Sequence, residues 1–149
     1  MKSRSAQTPP ARPSRKRLVV VAAVIESGGR ILACQRRKSD AFGLKWEFPG
    51  GKVQHGEEPA EALARELKEE LGVEAAIGDE VFRTRHRYAE LAREIELIFF
   101  AARANEKEMR NLAFENMRWV RPEKLVELDF LPADREFVAK LAGQTAGRS

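Results

Sequence analysis

Glu66, Glu69 and Glu70 stand three and four positions apart, behind Arg65, Glu57 and the run Gly50-Gly51-Lys52. Carboxylates at that spacing are hard oxygen ligands suited to Mg2+, with Mn2+ the alternative; such an ion takes few protein ligands and leaves room for waters and phosphate oxygens. Adjacent glycines let a backbone approach a ligand closely. The chemistry on offer is cleavage of a phosphoanhydride, in which water is brought to phosphorus, charge is neutralised and a free carboxylate takes the proton. Read alone, Glu66-x-x-Glu69-Glu70 also fits a solvated acidic helix face.

Pro59 suits a first helical turn and Gly72 the position just past the last, which sets a helix over residues 59–71. On it Glu66, Glu69 and Glu70 share one arc, with Ala60, Ala64, Leu67 and Leu71 opposite. Like charges so placed cost a helix roughly 0.2–0.5 kcal/mol per pair, so local stability gives no reason for them, and a cation reverses the sign. Upstream, residues 17–26 read as an apolar, β-branched strand, Ser27-Gly28-Gly29 as a turn and residues 30–35 as a second strand, together a hairpin. Residues 36–45 are irregular, and residues 46–51 lead towards the helix. Strands are expected at 73–76 and 80–87, broken at Gly78-Asp79, then at 94–104 and 116–120. Pro122 opens a short helix and Pro132 a last one, with Phe137, Val138 and Leu141 as its apolar stripe. Strands with helices at intervals make a layered α/β domain.

The pattern from Gly51 to Val73 is Gly, five residues, Glu57, seven residues, then Arg65-Glu66-hydrophobic-x-Glu69-Glu70-x-Gly72-hydrophobic. It resembles the Nudix box at every defined position, and Trp46-Glu47-Phe48-Pro49-Gly50 with Lys52 resembles the MutT branch of that family. The likeness covers about residues 17–142. It implies a Nudix-type α/β/α sandwich with a mixed sheet and a catalytic loop-helix-loop. It further implies Mg2+-dependent hydrolysis of nucleoside triphosphates to the monophosphate and pyrophosphate. Oxidised nucleotides such as 8-oxo-dGTP, or (d)CTP-type substrates, are the expected targets, in nucleotide-pool sanitation. Two other readings stay open: a Nudix hydrolase of a dinucleotide or nucleotide sugar, and a non-catalytic nucleotide- or RNA-binding Nudix module.

The same resemblance assigns roles. Glu66, Glu69, Glu70 and the carbonyl of Gly50 hold metal; Glu57 pairs with Arg65 and fixes the loop against the helix; Lys52 neutralises phosphate or assists the attacking water. MutT relatives carry another metal-binding Glu six residues before the position of Trp119, and here that residue is Ala113. Glu115 is the substitute, with Glu66 the other general-base candidate; Glu69 and Lys52 complete the catalytic set. Arg36 and Arg37 end the second strand as candidates for gripping phosphate, or as a solvated strand end. Glu47 and Phe48 are candidates to line the base pocket, with Phe48 alternatively core. Asp134, in Leu131-Pro132-Ala133-Asp134, falls where MutT-type enzymes carry a base-reading Asn or Asp, and alternatively caps the last helix.

A chain of 149 residues fits one domain. Six of its 27 basic residues fall in 1–17 with no acid among them, so the remainder sets 21 basic against 23 acidic groups and the overall charge of +4 belongs to the leader. Residues 1–16, rich in Pro and Ser, are expected to be disordered; residues 17–143 form the hydrolase domain and 144–149 a C-terminal tail. The basic segment is a solvated leader or an electrostatic contact for nucleic acid, which is otherwise not an expected partner. Residues 18–25 are apolar for 8 positions before Glu26 and a glycine turn, which fits a strand better than a signal peptide, and no stretch reaches membrane-spanning length. The single Cys34 excludes an intramolecular disulfide or a thiolate metal site. These features suit a cytoplasmic protein, monomer or homodimer, whose partner is its nucleoside triphosphate substrate.

Overall fold

The computed structural model describes residues 17–88 and 93–146; the basic segment 1–16, with the expectation of its disorder, lies outside them, as do residues 147–149. The strands are β1 (Arg17–Ser27), β2 (Arg30–Gln35), β3 (Trp46–Glu47), β4 (Gly50–Lys52), β5 (Ala76–Tyr88), β6 (Arg93–Arg103) and β7 (Asn116–Val120). The helices are α1 (Pro59–Leu71) and α2 (Arg135–Ala146), which runs three residues beyond the expected domain end at 143. Short 3-10 turns occupy Glu106–Glu108, Pro122–Glu127 and Pro132–Asp134. Among the described residues no helix is long and apolar enough to cross a membrane.

The sheet is mixed, in the order β3-β2-β1-β6-β5, with β4 also paired to β1 and β7 to β2. β1 runs parallel to β6 over nine register positions from Arg17↔Glu94 to Ile25↔Ala102, and every other pairing is antiparallel. The sheet forks. β2 joins β1 only at Glu26↔Ile31 and Ser27↔Arg30, and the space it leaves along β1 is taken by β4, at Val20↔Lys52 to Ala22↔Gly50.

Because strand side chains alternate between faces, β1 buries residues on both. Val21, Ala23 and Ile25 pack with Ile98 and Leu63, Leu67 and Leu71 under α1, whereas Ala22 packs with Phe48, Phe99, Phe130 and Phe137 under α2. One helix layer on each side of the sheet makes the α/β/α sandwich.

Two expectations change. Residues 73–75 are not strand, and 76–88 form one strand whose register is irregular between Ile77 and Glu80 and between Glu80 and Phe82. Gly78-Asp79 therefore marks a bulged stretch rather than a break. On α1 the buried stripe is Ala62, Leu63, Leu67 and Leu71, while Ala60 is exposed and Ala64 only half-buried. The start and end of α1 match the sequence reading. At the start, the N–H of Glu58 donates to Glu61 Oε1 at 3.1 Å, one arm of a capping box. At the end, Gly72 takes φ 68° and donates its N–H to the Lys68 carbonyl at 3.0 Å.

A Cβ at Gly72 would lie 2.9 Å from an Arg110 guanidinium nitrogen. Gly72→Ala is therefore expected to cost about 1–2 kcal/mol in chemical denaturation, the usual penalty of a left-handed non-glycine residue, with Arg110 displaced besides. An unchanged midpoint would contradict this.

Candidate active site

The three glutamates of α1 lie at three depths. Glu70, i+3 from buried Leu67, turns in towards the sheet, and its Oε1 accepts the Gly50 N–H at 3.1 Å. Glu66 packs against Gly51 so closely that a Cβ there would overlap its carboxylate. Glu69 faces solvent, with 58% of its side chain exposed against 16% for Glu66. The bland reading, a uniformly solvated acidic face, holds for Glu69 and fails for the other two.

Arg65 ties Glu66 and Glu69 to Glu57. Its Nε donates to Glu57 Oε2 at 2.7 Å and its Nη2 to Glu57 Oε1 at 3.0 Å, a two-point fork. Nη1 reaches Glu66 at 3.1 Å and Glu69 at 3.3 Å, and Nη2 also reaches the Lys52 carbonyl at 3.1 Å. Glu57 in turn accepts the N–H of Gln54 at 2.9 Å, closing the loop that leads into α1. The ion pair expected from the family pattern is present in this geometry.

Electrostatics follows depth. The Arg65 hydrogen bonds, then the Gln54 N–H, hold Glu57 below the usual carboxylate range. Burial pushes Glu66 up against the opposing pull of Arg65. Burial, then the charges of Glu66 and Glu47, push Glu70 up to about 9, although the Gly50 N–H pulls the other way. At neutral pH Glu70 thus keeps its proton and hydrogen-bonds with Glu66.

A family model described as NUDIX domain matches residues 15–141. The chain belongs to the Nudix family. It is 39% identical over 120 residues to the CTP pyrophosphohydrolase of Escherichia coli K12, covering 80% of this chain and 87% of that one. It is 36% identical over 130 residues to a protein of Mycobacterium tuberculosis H37Rv named putative 8-oxo-dGTP diphosphatase 2, covering 83% and 87%. Among solved structures, the solution structure of the E. coli ORF135 protein matches with a TM-score of 0.75 and 32% identity, covering 89% of this chain and 94% of that one.

Members of the Nudix family generally use divalent metal ions such as Mg2+. Among the described residues no three His, Cys, Asp or Glu side chains already surround one point as ligands. The donor chemistry nonetheless fits. Burial raises Glu66 and Glu70, a shift that a hard dication at the same oxygens would reverse, and Glu69 is one turn from Glu66 with a solvent-facing carboxylate.

The remaining Nudix candidates divide into those near the box and those around Glu47 and Asp134. Lys52 is exposed beside Gly51, its carbonyl held by Arg65. The segment bearing Ala113 and Glu115 is bonded to the end of α1, Arg110 N–H to the Leu71 carbonyl at 2.9 Å and Leu112 N–H to the Glu70 carbonyl at 3.0 Å. Ala113 lies half-buried against the core cluster under α1, and Glu115 is exposed with its N–H on the Gln35 carbonyl at 2.8 Å. The late acidic position expected from the resemblance is thus held by a small apolar residue.

On the other side Glu47, half-buried, accepts Arg36 Nη1 at 3.2 and 3.3 Å. Burial raises its pKa and Arg36 opposes the rise. Asp134 is 4% exposed at the junction of the last 3-10 turn with α2, and burial, then the charge of Glu47, hold its carboxyl well above the usual range. Phe48 is a core ring, 3% exposed, with centroids 5.1 Å from Phe130 and 5.7 Å from Phe99. Arg37 is exposed, its N–H on Asp40 Oδ2 at 3.2 Å.

Sequence reasoning missed that Arg36 is engaged by Glu47, eleven residues away, because a contact across an irregular loop has no spacing signature. The one available cue was the opposite charge of two residues flanking the same loop.

Proposed function

We propose that this Nudix protein hydrolyses nucleoside triphosphates to the monophosphate and pyrophosphate, with 8-oxo-dGTP and (d)CTP-type nucleotides as preferred substrates. The observation that carries the reading is the Arg65 fork, which gathers Glu57, Glu66 and Glu69 beside the Gly50-Gly51 backbone. The names of the two relatives support the substrate class.

Glu66, Glu69, Glu70 and the Gly50 carbonyl would hold Mg2+, or Mn2+ in its place. Bound there, the ion neutralises phosphate charge and makes water more acidic. The protein's own groups do the rest. Gly51, without a side chain, leaves space for the Glu66 carboxylate; Arg65 keeps repelling carboxylates in fixed rotamers; Lys52 and Arg37 offer cations to the phosphate chain. Glu66 and Glu115 are the two candidate bases, Glu115 the less encumbered because among the described residues no cation is paired with it.

At the base end we assign Glu47 and Asp134 to the nucleobase, Asp134 lying close enough to Glu47 to feel its charge. An ionised Asp134 would only accept hydrogen bonds. Its burial favours the neutral acid, which offers one donor as well as acceptors. That pattern suits base edges that mix amino and carbonyl groups, as cytosine and 8-oxoguanine do.

Purified protein with Mg2+ and a nucleotide panel is expected to release pyrophosphate, fastest with 8-oxo-dGTP or (d)CTP. Two monophosphate-bearing products from dinucleotides or nucleotide sugars would favour the other hydrolase reading. Nucleotide binding without turnover would favour a non-catalytic module.

A further inference from the structure

Arg36 sits at the start of the 36–45 loop and makes four of the bonds that shape it. Its N–H donates to the Lys45 carbonyl at 2.9 Å, its carbonyl accepts the Leu44 N–H at 3.0 Å, and its Nε donates to the Ala41 carbonyl at 2.7 Å. The fourth is the Nη1 contact with both oxygens of Glu47.

This loop is not relaxed. Phe42 and Leu44 take φ 56° and 67°, the left-handed region that bulky side chains avoid, and a Cβ on Gly43 between them would meet the Lys38 carbonyl. Leu44 is also 41% exposed, an unusual place for a leucine in a strained turn. Such geometry persists only where the surroundings over-determine it, and it concentrates at functional sites. Here Arg36 supplies much of those surroundings, together with the Gln35 amide on the Leu44 carbonyl at 3.1 Å and the Lys45 N–H on the Phe42 carbonyl at 3.2 Å.

The other end of the arrangement points at the base site. Trp46, the neighbour of Glu47, donates to the Asp129 carbonyl and accepts the Leu131 N–H, each at 2.9 Å, and the Asp134 N–H bonds to the Leu131 carbonyl at 2.9 Å. Glu47 is thereby mounted on the same backbone frame as Asp134.

We infer that Arg36 is a positioning residue for base selection: it couples the strained 36–45 loop to Glu47 and fixes that carboxylate opposite Asp134, rather than gripping phosphate. The inference rests on the nucleotide-hydrolase reading for its meaning, but not for its test. The Nε of Arg36 is taken by the Ala41 carbonyl and its Nη1 by Glu47, whose carboxylate opposes its charge, so only Nη2 is left to meet a phosphate, whereas Arg37 beside it has its side chain free among the described contacts. The planar fork matters as much as the charge, since one Lys ammonium cannot span Ala41 and Glu47 in the same way.

The test compares wild type with Arg36→Lys and Arg36→Gln, after thermal melts have shown both variants folded. Discrimination between bases, the ratio of kcat/KM for the best and the poorer nucleotides of the panel, is expected to fall about tenfold in both variants. In a Glu47→Gln background Arg36→Gln should remove no further discrimination, the signature of two residues acting as one unit. A uniform rise in KM for every triphosphate, with the ratios intact, would overturn the inference in favour of phosphate binding; so would additive losses in the double variant. Binding ratios for nucleoside monophosphates, measured by calorimetry on the same proteins, decide the matter without turnover. Silence of the wild type towards all triphosphates would sink the hydrolase reading and leave these ratios to judge Arg36.

Discussion

Glu70→Gln is expected to lower turnover by two orders of magnitude or more while leaving the fold as stable as before at neutral pH, or more so. Groups that merely orient a metal's ligands typically cost about 10–100-fold when removed, and Glu70 is placed to be a ligand. The amide is nearly isosteric, and its carbonyl can still accept the Gly50 N–H that now reaches Glu70 Oε1 at 3.1 Å. Stability should not suffer because Glu70, pushed up to about 9, is already neutral near pH 7 in the metal-free protein.

The pH dependence has a defined sign. Between the ordinary carboxyl value of 4.5 and about 9 the unfolded chain has released a proton that the folded one keeps. The folded state binds more protons in that window, so this group's contribution to stability is present in full below it and declines as pH rises through it, by at most about 1.4 kcal/mol per unit. Glu70→Gln should flatten that decline, and Mg2+ should oppose it by favouring the ionised form and expelling the proton. Urea melts of wild type and variant from pH 5 to 9, with and without Mg2+, read all three effects. Full turnover in the variant, or identical pH slopes, would remove Glu70 from the centre of the site.

Arg65 supplies the second large effect. Arg65→Ala is expected to reduce kcat/KM about 10–100-fold with a weaker apparent affinity for Mg2+, and Arg65→Lys is expected to recover little of it. Two influences compete here. Removing a cation beside three carboxylates makes the site more negative and by itself would draw the ion in more strongly. Against this, five hydrogen bonds from one planar group fix Glu57, Glu66, Glu69 and the Lys52 carbonyl. Surface charge is screened by salt and water, while lost orientation is not. Lys keeps the charge and loses the fork, so a Mg2+ titration of the two variants separates the effects. Tighter metal binding in Arg65→Ala would mean that charge prevails.

Much of this was legible in the residues. Pro59 and Gly72 bracket α1 because backbone chemistry restricts them to those places, and the box spacing named the carboxylates and the Glu57–Arg65 pair. The unbroken apolar run of β1 is the pattern of a strand covered on both faces. What could not be read was depth: three glutamates on one arc say nothing of which turns towards Gly50 and which towards water, since that depends on how far α1 rolls onto Val21, Ile25 and Ile98. The same limit explains Phe48, legible as a pocket lining or as core until Phe99, Phe130 and Phe137 gathered round it from three distant segments. Gly78-Asp79 misled for another reason, because a turn-like pair within a strand is also how a bulge is written.

The forked sheet carries a mechanical implication. The wall bearing Glu47 hangs from β2, the one bearing Gly50 and Gly51 is laced to β1, and the chain crosses between them in Phe48-Pro49. The two walls share only the short ladder at Glu26↔Ile31 and Ser27↔Arg30, set beside the glycine turn. A small hinge-like flexing there would alter the span from base-facing to phosphate-facing groups while the long β1–β6 ladder stayed intact. Any adjustment of the proposed site to nucleobases of unequal breadth would fall on that narrow join rather than on the long ladder.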